Sequence, residues 1–325
     1  MAKRALGPAT QQVVAAVEAV ADAPILVACS GGPDSLALAA AAAIVGRRRG
    51  LPVRAVTVDH GLQPGSAAVA ELVVARLAAL GLAATVLAVD VVAAGLGMEA
   101  AAREARYAAL ACEAEPDEDV LLGHTLDDQA ETVLLGLARG SGARTLAGMA
   151  SRRGRFVRPL LGVRSVTTRA ACAELGLEPW HDPHNSDERF ARVRARRSVM
   201  AVLESELGPG IAEALARTAE LARADADLLD ELAARELASQ SDGDGLDCAW
   251  LESLPDAIAN RVLLAWLRGS GGNDLSAAHL ASVRGLVHSW RGQRWVEVPG
   301  LRVARTGGRL VVRDPLAGAA AEPLG

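Results

Sequence analysis

The sequence predicts an α/β protein in which a doubly wound, mostly parallel sheet is followed by a smaller domain of helices and strands. Between residues 25 and 132, short apolar runs alternate with longer helical patterns, which is typical of β-α-β units. Toward the end of the chain, the turn pairs Pro299-Gly300 and Gly307-Gly308 separate three strand-like runs. A length of 325 residues allows two domains, each with its own core.

Each element is predicted from its local pattern. A short amphipathic helix over 10–21 precedes four apolar strands, and a helical segment follows each strand. The predicted strands are 25–29, 53–58, 84–89 and 120–122, and the helices after them are 35–45, 67–80, 99–107 and a segment that begins near Asp127. In the C-terminal part, the predicted helices are 211–239, 255–268 and 276–288, and the predicted strands are 294–298, 301–304 and 309–312.

The charge pattern supports a division of the chain into domains 1–216 and 217–315. Between Thr218 and Ala257 there are eleven acids against two arginines, whereas between Ile258 and Arg313 there are nine arginines against two acids. This segregation favours a basic surface for a polyanion, although the net charge is −5. A general use of arginine in place of lysine explains the single lysine, Lys3, but not the segregation. The segment 316–325 is predicted to be a disordered tail.

The cysteines and the apolar runs limit which classes of protein the chain can belong to. The four cysteines, Cys29, Cys112, Cys172 and Cys248, are scattered, so neither a disulfide framework nor a zinc site is expected. The N-terminus lacks a signal-peptide core, and the alanine-rich runs are too interrupted for a membrane span. We therefore expect a cytoplasmic protein without a membrane partner, and the sequence leaves its oligomeric state open.

The turn after the first strand has the residues of an anion site. In Ser30-Gly31-Gly32-Pro33-Asp34-Ser35, a buried strand leads to a helix N-terminus, where unpaired N–H groups and the helix dipole attract negative charge. The glycines let a phosphate approach, the two serines can donate hydrogen bonds, and Asp34 can hold a magnesium ion or orient water. An ordinary strand-to-helix turn would need the same glycines, so the glycines alone leave both interpretations open.

Further candidate binding residues follow the second and third strands, and they would lie in one cleft with the predicted anion site. Asp59 and His60 end the second strand, and the carboxyl ends of neighbouring parallel strands carry ligand groups in a doubly wound sheet. A hydrogen-bonded turn is the alternative for His60. Glu99, Arg103 and Arg106 recur at helical spacing, so at least one of them can face the cleft, although a solvated helix face has the same spacing.

Three acids lie together on the first turn of the helix after the fourth strand. Asp127 and Asp128 are adjacent, and Glu131 lies one turn further on. They can hold a metal ion or a cationic substrate beside the turn at Ser30. The alternative is helix capping by Thr125 or Asp127, although capping does not require three carboxylates.

The segment 188–200 is rich in arginine. If it is helical, Arg189, Arg192 and Arg196 form one stripe, while Phe190 and Val193 pack inward. Arginine suits phosphate because its guanidinium can donate two parallel hydrogen bonds. These side chains could contact a nucleic acid or reach back to a nucleotide, and a solvated basic face is the alternative.

Several strings resemble known families. The string Ser30 to Ser35 resembles the pyrophosphate loop (PP-loop) of N-type ATP pyrophosphatases, which cleave ATP between the α and β phosphates. The chain is also similar to the tRNA(Ile)-lysidine synthetase family over roughly residues 20–200. The strings that carry this resemblance are 30–35, 59–62 (Asp-His-Gly-Leu), 123–132 (Gly-His-Thr-Leu-Asp-Asp-Gln-Ala-Glu-Thr), 139–142, 158–161 (Arg-Pro-Leu-Leu) and 182–185. His184 and Val193 depart from the family pattern.

The resemblance implies an enzyme that uses ATP and Mg²⁺ to join L-lysine to C2 of the wobble cytidine of tRNA(Ile) with a CAU anticodon. An adenylated cytidine would be the intermediate, and the products would be lysidine, AMP and pyrophosphate. The tRNA would then read AUA in place of AUG and change its identity from Met to Ile. The fold implied for residues 1–216 is that of a Rossmann-like PP-loop domain, and residues 217–315 would bind and select the tRNA.

The resemblance also implies roles for individual residues. The loop from Ser30 to Ser35, with Asp59 and His60, would bind ATP, and Asp34 would also hold magnesium. The catalytic residues would be Asp34, Asp127, Asp128 and Glu131. The residues expected to contact the tRNA are Arg103, Arg158, Arg189, Arg192 and Arg196.

Three other functions fit parts of the sequence. A tRNA 2-thiolating enzyme shares the loop but often uses paired cysteines or an iron–sulfur cluster, and the chain has no Cys-x-x-Cys. An amidotransferase of the GMP-synthetase kind needs an ammonia source, and no glutaminase nucleophile motif is evident. A tRNA- or nucleotide-binding module without catalysis is the third, and the intact loop and acidic cluster argue against it.

Overall fold

A computed structural model describes residues 5–61, 65–90, 98–140, 142–180, 187–240 and 245–313. The chain forms two compact units, Met1–Arg223 and Ala224–Gly325, and each has its own sheet and core. The boundary predicted at 216/217 lies within the helix Ile211–Ala238. The predicted tail lies outside the described residues. In the described part of the chain, no helix is long and apolar enough to cross a membrane.

The first unit contains a six-stranded sheet flanked by helices. Its strands are β1 (Ile25–Ala28), β2 (Val53–Asp59), β3 (Ala83–Ala88), β4 (Asp119–Leu122), β5 (Arg152–Arg153) and β6 (Phe156–Val157). Its helices are α1 (Pro8–Glu18), α2 (Pro33–Arg49), α3 (Ser66–Ala79), α4 (Met98–Glu113), α5 (Leu126–Ala138), α6 (Ala143–Leu146), α7 (Ser165–Leu175), α8 (Ala191–Arg194) and α9 (Met200–Glu206), and α10 (Ile211–Ala238) continues into the second unit. The strand order is β3-β2-β1-β4-β6-β5, with only β5 antiparallel to its neighbour. The predicted mostly parallel sheet is confirmed.

The four predicted strands and the helices after them are present, with their ends shifted by a few residues. The sequence did not predict β5, β6, α6 or α7. The first three have only two to four residues and are too short to show a hydrophobic period. Helix α7 was missed because its buried residues are Thr168, Ala171 and Cys172, which do not form a conventional apolar stripe.

The core is built around β1 and α2. Ile25, Leu26 and Val27 are all at most 1% exposed, as expected for a central strand that is covered on both faces. Helix α2 is also buried along most of its length, and its alanine run allows close packing against α1 and α7. Gly50 ends the helix in the left-handed conformation, with φ of 69°.

The strand order creates a crevice at the carboxyl end of β1. Strand β1 lies between β2 and β4, so the chain leaves β1 toward one side of the sheet and later returns on the other. Ligands of open α/β sheets bind outside the strand ends at such a switch point. The turn at Ser30 and the acids after β4 therefore meet at the same edge of the sheet.

The second unit is a four-stranded antiparallel sheet with helices. Its elements are β7 (Leu246–Asp247), α11 (Cys248–Ser253), α12 (Asp256–Gly269), α13 (Ala277–His288), β8 (Val296–Val298), β9 (Leu301–Thr306) and β10 (Arg309–Arg313). The strand order is β7-β10-β9-β8. The three predicted strands are confirmed, and β7 was missed because it has two residues.

The two faces of this sheet differ in composition. Alternate residues of the strands, including Leu301, Val303 and Leu310, belong to a core shared with α12 and α13. The opposite face aligns Glu297, Arg302 and Arg313 across β8, β9 and β10. A smaller domain with a polar, arginine-bearing sheet face is the result.

Candidate active site

The turn between β1 and α2 is organised by the hydroxyl of Ser35. Its Oγ accepts from the Ser30 N–H over 3.2 Å and donates to the Gly32 carbonyl over 3.1 Å. Gly31 has φ of +83°, and a Cβ at this position would lie 2.4 Å from Cγ2 of Val73. The predicted anion loop therefore has a fixed shape, and only glycine fits at its second position.

A second glycine lets β4 approach this loop. A Cβ on Gly123 would lie 3.0 Å from both the N and the Cα of Ser35, which are backbone atoms that cannot move aside. The close approach places His124 and the first turn of α5 next to the N-terminus of α2. The string Gly-His-Thr thus has a steric reason to begin with glycine.

A cavity of about 490 Å³ opens beside the loop. Ser30, Gly32, Pro33, Asp34 and Ser35 line one side. The other lining residues include Arg103, Arg106, His124, Asp128, Arg192 and Arg196. The predicted anion loop, two carboxylates and four guanidinium groups therefore face one space.

Asp34 is the one carboxylate within the loop string from Ser30 to Ser35, and it lies on the first turn of α2. It accepts a hydrogen bond from the hydroxyl of the fully buried Thr168. Burial raises the pKa of Asp34 to about 6, the Thr168 hydrogen bond opposes the rise, and the neighbouring charge of Asp128 adds to it. No sequence pattern pointed to Thr168, because its helix was not predicted.

The acids on α5 are bound to arginines from a distant segment. Thr125 caps α5, as one alternative anticipated. Asp128 completes the capping box by accepting from the Thr125 N–H, and its Oδ1 accepts from Nη2 of Arg196 over 3.0 Å. Glu131 is 1% exposed and accepts from Nε of Arg192 over 3.0 Å and from Arg196. Asp128 and Glu131 therefore orient two cavity-lining guanidinium groups.

Asp127 points to a different part of the unit. Its Oδ2 accepts from the Ser165 N–H over 2.6 Å, and its Oδ1 accepts from Nε of Arg164 over 3.1 Å. Among the described residues that line the cavity, only Asp128 comes from this group of three acids. The structure thus separates three carboxylates that the sequence placed together.

A cluster of cations surrounds Tyr107 beside the cavity. Arg158, which is 6% exposed, donates from Nη2 to the Tyr107 hydroxyl over 3.0 Å and from Nη1 to the Ala150 carbonyl. Burial alone would raise the pKa of Tyr107, but Arg103, Arg158 and Arg106 together lower it below its ordinary value. The prediction that at least one of Glu99, Arg103 and Arg106 faces the cleft is confirmed, because both arginines line the cavity.

The two histidines near the strand ends are partly buried, and the pKa of each is lowered from its ordinary value. Burial lowers the pKa of His124, and the nearby Arg158 and Arg106 lower it further. Burial also lowers the pKa of His60, again helped by Arg106. His124 lines the cavity, whereas Asp59 and His60 are not among the described residues that line it. Oδ1 of Asp59 accepts from the Gly61 N–H over 3.0 Å.

The predicted arginine stripe is wrong in part. The helix begins at Ala191, so Arg189 precedes it, and the Arg189 side chain is 85% exposed and paired with Asp187. Arg192 and Arg196 do share a face and line the cavity. Phe190 was expected to pack inward but is 36% exposed at the cavity wall. The string 182–185, with His184, lies outside the described residues.

A magnesium ion fits this site only as a partner of phosphate. In the described part of the chain, no group of three or more histidine, cysteine or acidic side chains could hold a metal ion. The cavity offers the carboxylates of Asp34 and Asp128. Mg²⁺ commonly binds through one or two carboxylates together with substrate phosphates, so this donor set is compatible with it.

Comparisons with known proteins agree with this geometry. Residues 7–203 match the family model of the PP-loop domain, and residues 246–311 match that of the TilS substrate binding domain. The tRNA(Ile)-lysidine synthase of Mycolicibacterium paratuberculosis is 53% identical over 298 residues, which cover 89% of this chain and 91% of that protein. The tRNA(Ile)-lysidine synthase of Thermobifida fusca is 53% identical over 288 residues, covering 86% and 88%.

The fold is also found in a solved structure of a tRNA-modifying enzyme. The U34-tRNA thiolase NcsA from Methanococcus maripaludis, solved with its 4Fe–4S cluster, superposes with a TM-score of 0.54. The match covers 66% of this chain and 79% of that chain at 16% identity, so it supports the fold and says nothing about the reaction.

Proposed function

The chain belongs to the tRNA(Ile)-lysidine synthase family, and on that premise we propose that it joins L-lysine to C2 of the wobble cytidine in the CAU anticodon of tRNA(Ile). ATP is consumed, and lysidine, AMP and pyrophosphate are formed. The modified tRNA reads AUA in place of AUG and carries Ile identity in place of Met. The observation that carries this proposal is a PP-loop that shares one cavity with carboxylates and guanidinium groups. Because its substrate is a tRNA, we infer that it acts in the cytoplasm.

The chemistry proceeds in two steps. The C2 carbonyl of cytidine is a poor electrophile, because the ring donates electrons into it and oxide is a poor leaving group. Its oxygen attacks the α-phosphate of ATP, which breaks the bond to the β-phosphate and releases pyrophosphate. The ε-amine of lysine, after losing a proton, then attacks C2 and displaces AMP.

The PP-loop supports the first step. The backbone of Ser30 to Ser35 and the N-terminus of α2 would meet the phosphates that leave as pyrophosphate. Arg103 and Arg106 lie across the cavity and would face the same negative charge. Asp34 would hold Mg²⁺, which when bound offsets phosphate charge.

The acid–arginine group supports the second step. Lysine brings one ammonium at its side chain and one carboxylate and one ammonium at its backbone. Asp128 would meet an ammonium group, while Arg192 and Arg196, held in place by Glu131, would meet a carboxylate or a phosphate. Such a set of paired charges suits a zwitterion better than it suits a neutral substrate.

The second unit would position the tRNA. Its sheet face carries Arg302 and Arg313, and Arg302 and Arg294 both stack on Trp295, with guanidinium-to-ring distances of 5.3 and 4.5 Å. Stacking restricts the guanidinium groups and reduces the entropy lost when they bind phosphate. We therefore assign phosphate contacts to this face. Arg189, exposed on the first unit, would add another contact.

A tRNA-thiolating activity is the second candidate, and the cysteines argue against it. Cys29, Cys172 and Cys248 are buried as thiols, and burial raises the pKa of Cys172 to about 11. None of the four cysteines belongs to a candidate metal-binding group within the described residues. The site therefore favours ligation over sulfur transfer.

Incubation with ATP, labelled amino acids and total tRNA tests the proposal. Only lysine should enter tRNA, and one pyrophosphate should be released for each lysine incorporated. A matched reaction with tRNA(Ile) whose wobble cytidine is replaced by uridine should incorporate nothing. Incorporation of a different amino acid, or sulfur transfer to tRNA, would reject the proposed reaction.

A further inference from the structure

Helix α7 reaches the carboxylate of Asp34 through Thr168, which is 0% exposed. The Thr168 hydroxyl lies within hydrogen-bond distance of Oδ1 of Asp34 and of the Ser165 carbonyl, the latter at 2.8 Å. A hydroxyl has one proton to donate, and an ionised carboxylate is the stronger acceptor. Thr168 therefore donates to Asp34 when that carboxylate is charged. A ligand in the cavity would then meet the other oxygen, Oδ2.

The first turn of α7 is held by a residue outside the helix. Its N-cap residue, Arg164, makes no side-chain cap, and the Ser165 N–H donates to Oδ2 of Asp127 over 2.6 Å. Arg164 also pairs with Oδ1 of Asp127 over 3.0 Å. A carboxylate at this position accepts from an unpaired N–H and complements the positive end of the helix dipole. Asp127 thereby fixes the turn that carries Thr168.

The first turn of α5 is also joined by a backbone hydrogen bond to the segment that precedes α7. The Leu126 N–H donates to the Val163 carbonyl over 3.0 Å. This hydrogen bond holds the backbone of Asp127, the next residue, in a fixed position from which its carboxylate caps α7. This arrangement links the helix that carries Asp128 to the side chain that contacts Asp34, although Asp34 and Thr168 are 134 residues apart.

We propose that Asp127 and Thr168 are positioning residues, in which Asp127 holds the first turn of α7 and the Thr168 hydroxyl on that turn orients the carboxylate of Asp34 toward a magnesium–nucleotide ligand. The inference rests on the proposed function only in requiring that Asp34 meets this ligand. Asp127 would then orient Asp34 rather than contact lysine. Helix α7, which the sequence analysis did not predict, would contribute a positioning residue to the site.

A double-mutant cycle tests the link between Thr168 and Asp34. Thr168→Val removes the hydroxyl and keeps the shape, whereas Thr168→Ser keeps the hydroxyl. Each change is made in the native chain and in the Asp34→Ala variant. Equilibrium binding of a non-hydrolysable ATP analogue with Mg²⁺ is measured, together with the melting temperature and tRNA-dependent pyrophosphate release. Thr168→Ala provides a second hydroxyl-free variant if valine prevents folding.

Thr168→Val should weaken nucleotide binding and lower turnover by about tenfold each, the range expected for one hydrogen bond to a charged group. Thr168→Ser should stay within about threefold of the native chain, since it retains the donor. In the Asp34→Ala background, Thr168→Val should have no further effect, because two residues that act through one contact are not additive. An equal loss in both backgrounds would show that Thr168 supports the fold alone and would overturn the inference.

Two other results would also overturn it, and they are distinguishable. If Asp34→Ala binds nucleotide poorly but Thr168→Val binds it normally, the inference fails while the proposed function stands. If Asp34→Ala alone binds and reacts like the native chain, the proposed role of Asp34 fails, and the inference fails with it. The second result does not depend on any Thr168 variant.

A matched pair of variants tests Asp127. Asp127→Asn keeps an oxygen near the Ser165 N–H but removes the charge, and it should weaken nucleotide binding in a way that is not additive with Thr168→Val. Glu213→Gln removes the other partner of Arg164, an oxygen 2.6 Å from Nη1, without touching the cap. Its nucleotide binding should stay within about twofold of the native chain. Equal losses in the two variants would reject the assignment of Asp127.

Discussion

Nη2 of Arg196 donates to Oδ1 of Asp128 over 3.0 Å, across a sequence separation of 68 residues. Both residues line the cavity beside the PP-loop. Asp128, which the sequence analysis assigned to a metal ion or a cationic substrate, is therefore already paired with a guanidinium group. If lysine binds here as proposed, its ammonium group must share Asp128 with Arg196 or shift the guanidinium toward a phosphate, and lysine binding would then be coupled to nucleotide binding.

Glu131 should be needed to keep these guanidinium groups in place. Its buried carboxylate accepts from both Arg192 and Arg196. Glu131→Gln removes the charge, and we expect the KM for lysine to rise at least tenfold and the free energy of unfolding to fall by about 1–3 kcal/mol. Steady-state kinetics and denaturant unfolding measure the two effects. Glu231→Gln, which breaks an exposed pair with Arg235 in the second unit, is the control and should change neither. A normal lysine KM in Glu131→Gln would contradict this role.

Gly123 should be required for the shape of the nucleotide site. A Cβ here would lie 3.0 Å from backbone atoms of Ser35, so Gly123→Ala must push β4 and the loop apart. We expect ATP affinity to fall by about tenfold or more, because a displacement of a few tenths of an ångström disturbs several loop contacts at once. Gly142→Ala is the matched control, since a Cβ there meets nothing within 4 Å. Calorimetric titration of both variants tests the difference, and equal affinities would refute it.

Glu174 should make the stability of the first unit depend on acid pH. Its carboxylate accepts from the N–H groups of Ala9 and Thr10 and from the Thr10 hydroxyl at the start of α1. The pKa of Glu174 lies below its ordinary value, mainly because the carboxylate accepts the hydrogen bonds from Thr10. The stabilisation is therefore complete above the ordinary pKa of a glutamate and is lost as the pH falls through the lowered value.

The Glu174→Gln variant tests this pH dependence. It should melt at a lower temperature than the native chain at neutral pH, and the difference should shrink as the pH falls below about 4, the ordinary pKa of the group. Melting curves over a pH series measure it. Glu178→Gln, a change in the same region of the sequence at a residue outside these contacts, should leave the curve unchanged. A constant difference at all pH values would contradict the assignment.

Arg302 and Arg305 should behave differently in tRNA binding. Arg302 lies on the arginine-bearing face of the second sheet, whereas Nη1 of Arg305 donates to the Leu286 and Val287 carbonyls at the end of α13. Arg302→Gln should weaken tRNA binding and lower the slope of log Kd against log salt by somewhat under one unit, the value for one lost phosphate contact.

Arg305→Gln should lower the melting temperature and leave the salt slope near that of the native chain, because its partners are carbonyls of its own unit. Filter binding at several salt concentrations, with melting curves for each variant, separates the two effects. If both variants show the native slope, the sheet face does not contact phosphate.

Local sequence patterns were sufficient to predict the parallel sheet, the PP-loop and most of the residues around the cavity. These features depend on neighbours in the chain, because apolar runs, glycine turns and strand-to-helix junctions are local patterns. Gly31, Asp34 and Asp128 could be located in this way, and each lies in or beside the cavity.

The partners of the charged side chains could be identified only in the folded chain. Asp127, Asp128 and Glu131 are neighbours on one helical turn, but their partners come from α7 and from the segment that carries Arg192 and Arg196. Helical spacing assigns side chains to a face, yet it does not state which distant segment packs there. For the same reason Thr168 could not be found: a lone threonine has no sequence signature, and it matters because folding buries its hydroxyl against Asp34.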